Sequence, residues 1–499
     1  MKRTDILIIG TGFSGMGMAM KLIDSGRHDF IVLEKAHDIG GTWRDNTYPG
    51  CECDIPSHMY SFSYELNPHW TKSFSEQPEI WDYLLRIADE KQLRDYIEFG
   101  VEVSGARWDD TTQTWTVHTD QGSYECRVLV AGVGALHIPN IPHVEGVDSF
   151  NGPQFHSANW DHDVDLSGKK VAVVGTGASA IQFIPIIADD VEQLTVFQRT
   201  PPWVLPKKDK PVPNWVKSIF ASVPGAQRAY RNALYWTLES RAIAFNGHLN
   251  FLPIAEKLVK RYLKRVVPDP ELRAKLTPDY RLGCKRVLQS NTYYQTYLRD
   301  HVELNTTGVQ RIESDGIIDA EGTKHEVDVL IWGTGFHVID AFDYLSITGR
   351  GGADLAKQFA ENGVETYMGM TVHNFPNLYF MLGPNTGLGH NSVVFMIEQQ
   401  TKYILRMLEA MEQRDAAAAD VTQEAQDAFN HEVQRLVEKG IWTQGGCTSW
   451  YLDSQGKNRT IWPKFTFQYW WETRTIKTED FEWVPAPVTA PAEPHTVAA

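Results

Sequence analysis

Two glycine turns set the outline of this chain, because each stands between an apolar run and a helix-like stretch. In DILIIGTGFSG, Gly10, Gly12 and Gly15 follow an apolar run and lead into MGMAMKLIDSG, which closes at Gly26. Strand, tight turn and helix in that order cradle a phosphate. One glycine permits the turn, one lets backbone approach a pyrophosphate, and one lets the helix pack on the strand. The next run, FIVLE, ends at Glu34, whose carboxylate can accept both ribose hydroxyls of an adenosine. Phe13, Ser14 and Lys35 flank these positions and join the candidate set.

The pattern returns in KKVAVVGTGASA, with Gly175, Gly177 and Ala180 in the three places, Thr176 and Ser179 among them, and LTVFQRT as the following strand. Arg199 stands as far from Gly175 as Glu34 stands from Gly10. A carboxylate repels a 2′-phosphate, whereas a guanidinium clasps it through two charge-assisted hydrogen bonds. The first fold therefore reads as the site for the adenosine diphosphate of FAD, and the second as the site for NADPH.

A chain of 499 residues with 42% hydrophobic content has enough apolar surface for two or three domains. Its net charge of −16 argues against a nucleic-acid partner, since phosphate binding needs a clustered positive surface. The short apolar run near the N-terminus passes into the first glycine turn, so it reads as a strand and not an export signal. No stretch approaches the roughly 20 apolar residues of a membrane span. Five cysteines without an export signal predict reduced thiols and a cytoplasmic protein. Cys51 and Cys53 lack the spacing of a redox pair or a zinc site, and no metal site is expected. No paired cysteines follow the first glycine turn, which argues against a disulfide reductase.

Between the turns, TWTVHTD-QG-SYECRVLVAG predicts a β-meander ending around Gly132 and Gly134. Residues 201–267 change character, with twelve basic residues against three acidic ones (Asp209, Glu239 and Glu256). The run AEKLVKRYLKRVV is compatible with a membrane surface, but a solvated helix face is the commoner meaning of such a pattern. Strands are predicted in HEVDVLIWGTGF and FPNLYFMLGPN, followed by a long helical region from Asn391 to about Met411. The Pro/Ala-rich tail reads as disordered. The predicted fold is α/β, with two Rossmann-like dinucleotide-binding domains and a helical insertion in the second. Residues 1–145 and 336–484 are assigned to the FAD domain, the latter with an active-site loop. Residues 146–335 are assigned to the NADPH domain, with its insertion at about 201–275, and 485–499 to the tail.

Two longer motifs narrow the class. FNGPQFHSANWD carries Phe150, Gly152, His156, Trp160 and Asp161, and GGTWRDNTYPGCECD carries Gly40, Gly41, Trp43, Tyr48, Pro49, Gly50 and Asp54. Together they resemble the two fingerprints of the type I Baeyer–Villiger monooxygenases, flavoproteins related to the flavin-containing monooxygenases. GCKR, DVLIWGTGF and FPNLYFMLGPN extend the likeness along nearly the whole chain. Gly333 departs from the alanine common in that family.

The resemblance implies an FAD enzyme that takes NADPH and molecular oxygen and converts a small-molecule ketone to an ester or lactone through a C4a-peroxyflavin. Sulfides are a further implied substrate. A heteroatom oxygenase of the flavin-containing monooxygenase type stays open as an alternative, as does an idle flavoprotein that binds a partner through its basic insertion. By the same likeness Arg286 supplies a fixed positive charge beside the reacting oxygen, and Asp54 orients it. Lys285 joins Arg199 at the 2′-phosphate, and Trp450, on a mobile loop, reaches the nicotinamide nucleotide. Gly41, Thr42, Trp43, Tyr60, Val103 and Asn385 are expected around FAD, with Gly383–Thr386 approaching the flavin through backbone amides. His156 is expected on an interdomain linker as a conformational residue, with Trp160 packing that linker against the core.

Overall fold

The computed structural model describes residues 1–247, 252–338, 344–453 and 455–485. Two parallel sheets repeat one design. In the first, the strand Lys2–Ile9 lies between Phe30–Glu34 and Gly122–Ala131, with Ile9 beside both Leu33 and Ala131. In the second, Lys170–Val174 lies between Gln193–Phe197 and Val329–Trp332, with Val174 beside both Phe197 and Trp332. The central strands are apolar because both of their faces are covered, as parallel sheets require. Helix Phe13–Asp24 follows the first turn and helix Ala180–Ile187 the second.

The first sheet is extended to eight strands by the antiparallel meander Val103–Asp109, Thr114–Thr119 and Gly122–Ala131, by Ile97–Phe99 at one edge, and by Ser346–Thr348 and Leu378–Phe380. The second has five strands, with Val302–Asn305 at one edge and Gln154–His156 at the other. The chain thus leaves the first sheet after Ala131, builds the second from Gln154 to Trp332, and returns at Ser346. We propose the domain divisions at 145/146 and 335/336, within these two connections. The strand expected in HEVDVLIWGTGF is the shorter Val329–Trp332, because Gly333 and Gly335 end it, the latter at positive φ.

Among the described residues, the insertion holds the helices Asn214–Ser222, Ala226–Glu239, Ala242–Phe245, Leu252–Val266 and Pro270–Lys275. It docks on the segment after the first fold, where Arg231 donates to the carbonyl of His58 and Gln227 meets the His58 ring. Helix Leu252–Val266 leaves Ile254 and Leu258 exposed beside its lysines and arginines. Among the described residues no helix is long and apolar enough to cross a membrane. Residues 486–499 of the expected tail lie outside the described residues.

The thiols correct one expectation. Cys51, Cys53 and Cys126 are free and buried, but Cys284 and Cys447 form a disulfide across 163 residues of chain. An odd count of cysteines carries no information on which sulfurs the fold brings together.

Candidate active site

Each glycine turn is fixed by the end of a strand crossing behind it. Gly10 sits at positive φ, and a Cβ there would stand 2.9 Å from the Gly132 carbonyl oxygen. A Cβ on Gly15 would fall 1.8 Å from the Gly10 oxygen, so helix and strand meet with no room for a side chain. In the second turn a Cβ on Gly175, again at positive φ, would stand 2.2 Å from the Gly333 oxygen. Gly333 thus plays against Gly175 the part that Gly132 plays against Gly10. Neither following helix has a side-chain cap at its N-terminus, where backbone amides are unpaired and attract anions. Both cradles fit a pyrophosphate.

Beyond the turns the two sites differ. Glu34 is buried and already engaged: Thr11 donates to it from its amide at 3.0 Å and its hydroxyl at 2.6 Å, Ala36 from its amide at 2.9 Å, and Arg44 pairs with it at 3.1 Å. Burial raises the Glu34 carboxyl, but these donors outweigh it and hold it below the usual carboxylate range. Arg199 is exposed, and neither it nor Lys285 has a carboxylate in ion-pair reach among the described residues. The Lys285 ammonium lies over the Tyr280 ring at 5.2 Å. Burial first, and the like charge of Arg199 second, push Lys285 below the ordinary lysine range. Asp279 acts on Lys285 too weakly to reverse this, and two neighbouring cations without an ion-paired carboxylate fit a phosphate.

Arg286 and Asp54, 232 residues apart, form a bidentate pair, Nε to Oδ2 at 2.9 Å and Nη2 to Oδ1 at 2.7 Å. Arg286 remains 38% exposed at its side chain, and Asp54 holds it through Nε and Nη2. The Asp54 charge, opposed by burial, raises Arg286 well above the ordinary arginine range. Burial raises Asp54, and Arg286 together with Lys207 more than reverses it, so the carboxyl stays ionised.

Two neighbours of this pair carry no sequence motif. Lys207 is buried, pairs with Glu52 at 2.5 Å, and adds a second positive charge near Asp54. Tyr451, not Trp450, is the loop residue that faces the pair. It is buried, with its hydroxyl pushed up to about 12 mainly by burial, and Arg286 and Asp54 both act on it. Trp450 stands 43% exposed, its ring 4.4 Å from that of Tyr451.

Of the remaining candidates, Phe13, Trp43 and Tyr60 cluster beside the first turn, with the Trp43 indole donating to the Tyr60 hydroxyl at 3.1 Å. Thr42 opens the short helix Thr42–Asp45 behind Gly41, and Lys35 is exposed just after Glu34. Val103 starts a strand of the first sheet. Ser14 and Gly15 are buried in the first turn of their helix. Asn385, at positive φ, donates its side-chain amide to the carbonyls of Asn458 and Ile461 and its backbone amide to the Arg459 carbonyl at 2.9 Å. Thr176 is buried, and Ser179 precedes the buried Ala180 at its helix start. The motif around Tyr48 joins the folds: its hydroxyl donates to Gln182 at 2.8 Å, and a Cβ on Gly50 would stand 2.4 Å from Ile186.

His156 ends an edge strand of the second sheet, beside Trp332, and does not lie in a free linker. Its ring accepts from the Ala158 amide, and burial lowers its imidazole to about 4. It sits against Phe336, on the connection back to the first domain. Phe150 is buried, and Gly152 is required because a Cβ there would stand 2.2 Å from the Asp328 oxygen. Trp160 packs between Phe155 and Phe183, while Asp161 is exposed and caps the Asp163 amide.

Residues 7–223 match the family model described as pyridine nucleotide-disulphide oxidoreductase. The one disulfide among the described residues lies outside that range. A Baeyer-Villiger monooxygenase of Pseudomonas aeruginosa is 42% identical over 97% of this chain and 92% of its own. Among solved structures, cyclohexanone monooxygenase from Rhodococcus sp. Phi1 bound to NADP+ superposes with a TM-score of 0.87 at 28% identity, over 97% of this chain and all of that one. The OTEMO complex with FAD and NADP gives 0.87 at 27% identity, over 96% and 99%.

Proposed function

Because the chain belongs to the Baeyer–Villiger monooxygenase family, we propose that it binds FAD in the Gly10 fold and NADPH in the Gly175 fold, and uses molecular oxygen to convert a ketone to an ester or lactone. The observation that carries the reading is the bidentate Asp54–Arg286 pair, held beside two unpaired cations, Lys285 and Arg199. Bound FAD, reduced by NADPH, supplies the oxygen activation that no side chain can. The protein's own part is electrostatic. Arg286 offers a fixed, partly exposed guanidinium where negative charge develops as the carbonyl is attacked, and Asp54 locks its plane. Two parallel hydrogen bonds fix a guanidinium far better than a single contact does.

Lys285 and Arg199 hold the 2′-phosphate, and Trp450 with Tyr451 closes over the nucleotide side of the site. His156 takes no proton in this scheme, because a buried imidazole titrating near 4 is neutral at working pH. Sulfide oxidation is a second activity of the same site. An enzyme consuming NADPH works where NADPH is regenerated, and a cytoplasmic setting belongs to this reading.

The test is direct. Anaerobic NADPH should bleach the bound flavin, and a panel of aryl, cyclic and long-chain ketones with air should yield ester. If NADPH consumption gives only hydrogen peroxide with every ketone and sulfide, the reading is wrong.

A further inference from the structure

The disulfide joins two segments of the site just described. Cys284 lies between Gly283 and the Lys285–Arg286 pair and is fully buried among Trp203, Tyr280 and Leu282. Cys447 lies three residues before Trp450 and is only partly buried. The surroundings admit the crosslink closely: a Cβ on Gly445 would stand 2.4 Å from the Cys284 Cβ, and the Arg281 amide donates to the Gly445 carbonyl at 3.0 Å. On the far side of Trp450 the chain is pinned again by the buried Tyr451. The exposed segment with Thr448 and Trp450 is therefore a short span between a covalent anchor and a packed one.

We propose that Cys284–Cys447 is a reversible latch that positions the Trp450–Tyr451 loop against the segment bearing Lys285 and Arg286, so that thiol reduction loosens nucleotide retention. The proposal rests on the reading of this site as the NADPH site. Attack falls on Cys447, the less buried of the two partners. The thiolate of a dithiol reductant bonds to the Cys447 Sγ, and the S–S bond breaks. Cys284 leaves as a thiolate and takes up a proton. The reductant's second thiol then displaces Cys447, which leaves as the second free thiol, while the reductant becomes a cyclic disulfide. Two electrons and two protons pass to the protein. The oxidised dithiol reverses each step. Disulfides of reducing compartments are usually transient and catalytic or redox-sensing, which suits a bond whose Cys447 end is only partly buried.

The experiment uses the full-length, FAD-loaded protein equilibrated with dithiothreitol or with its oxidised cyclic form, then desalted. Alkylation and mass analysis should show two more modified cysteines in the reduced sample. Reduction should raise KM for NADPH, and the share of NADPH ending as hydrogen peroxide in the presence of ketone, about five-fold or more, the lower range of coupling between two sites. Flavin content should not change, and reoxidation should restore both values. Cys447→Ser should behave as the reduced form under either treatment, and Cys126→Ser should still switch. If Cys447→Ser yields no folded flavoprotein, the reversible wild-type comparison decides. Equal KM and coupling in both states, or five alkylated cysteines in the oxidised sample, would overturn the latch. An enzyme that oxygenates no ketone in either state, yet shows a redox-dependent KM for NADPH in flavin reduction, would overturn the proposed reaction and leave the latch standing.

Discussion

The two nucleotide folds share a backbone and differ in what they leave unsatisfied. Around the first turn Glu34 is tied to Thr11, Ala36 and Arg44, so the local charge is balanced within the protein. Around the second, Arg199 and Lys285 repel each other, and Asp279 offsets the Lys285 charge only in part. A balanced, buried pocket suits a cofactor that stays. An unbalanced, open one suits a charged ligand that comes and goes and supplies the missing anion on each visit. Charge complementarity of the second kind acts on binding and release, and salt screens it.

The two turns should differ most in their tolerance of added bulk. Gly15→Ala puts a methyl 1.8 Å from the Gly10 oxygen and should yield protein without flavin, read from the visible spectrum. At the matching place in the second fold, Ala180→Gly should cost only about 1 kcal/mol of helix stability and keep its FAD. Next in size is Arg286→Ala, for which ester formation should fall by about a hundred- to a thousand-fold. Anaerobic flavin reduction, followed by stopped flow, should change far less. Equal losses would mean that Arg286 serves cofactor binding alone.

Smaller effects test the cation pair. Arg199→Ala or Lys285→Ala removes a charge-assisted contact and should raise KM for NADPH about ten- to a hundred-fold, with little change for NADH. Because Lys285 is held below the ordinary lysine range and binds phosphate only while protonated, KM for NADPH should climb with pH before a free lysine would titrate. Lys285→Arg should flatten that rise. Least of all, Gly333→Ala brings a methyl to 3.2 Å from the Ala180 Cβ and should cost about 1 kcal/mol, seen as a small fall in thermal midpoint.

Both turns, their strands and their helices could be read from the sequence because the signals are local: an apolar run, glycines at fixed spacing, and a helix period. The Asp54–Arg286 pairing needed the family likeness, since nothing within either segment points to the other across 232 residues. Lys207 and Tyr451 had no signal at all. A lysine in a basic stretch and a tyrosine beside a more conspicuous tryptophan look like surface and core until the insertion and the loop fold over the pair.

Two phosphate cradles, one ending in an acid and one in a base, are legible in the amino-acid order, because steric and charge rules over a few dozen residues decide both. The tertiary structure alone decided which charges are cancelled, and therefore that Glu34 is satisfied while Arg199 and Lys285 are not. It also decided that two of five cysteines meet. Neutralisation and crosslinking depend on distances of a few ångströms between residues far apart in the chain, and those distances exist only once the chain is folded.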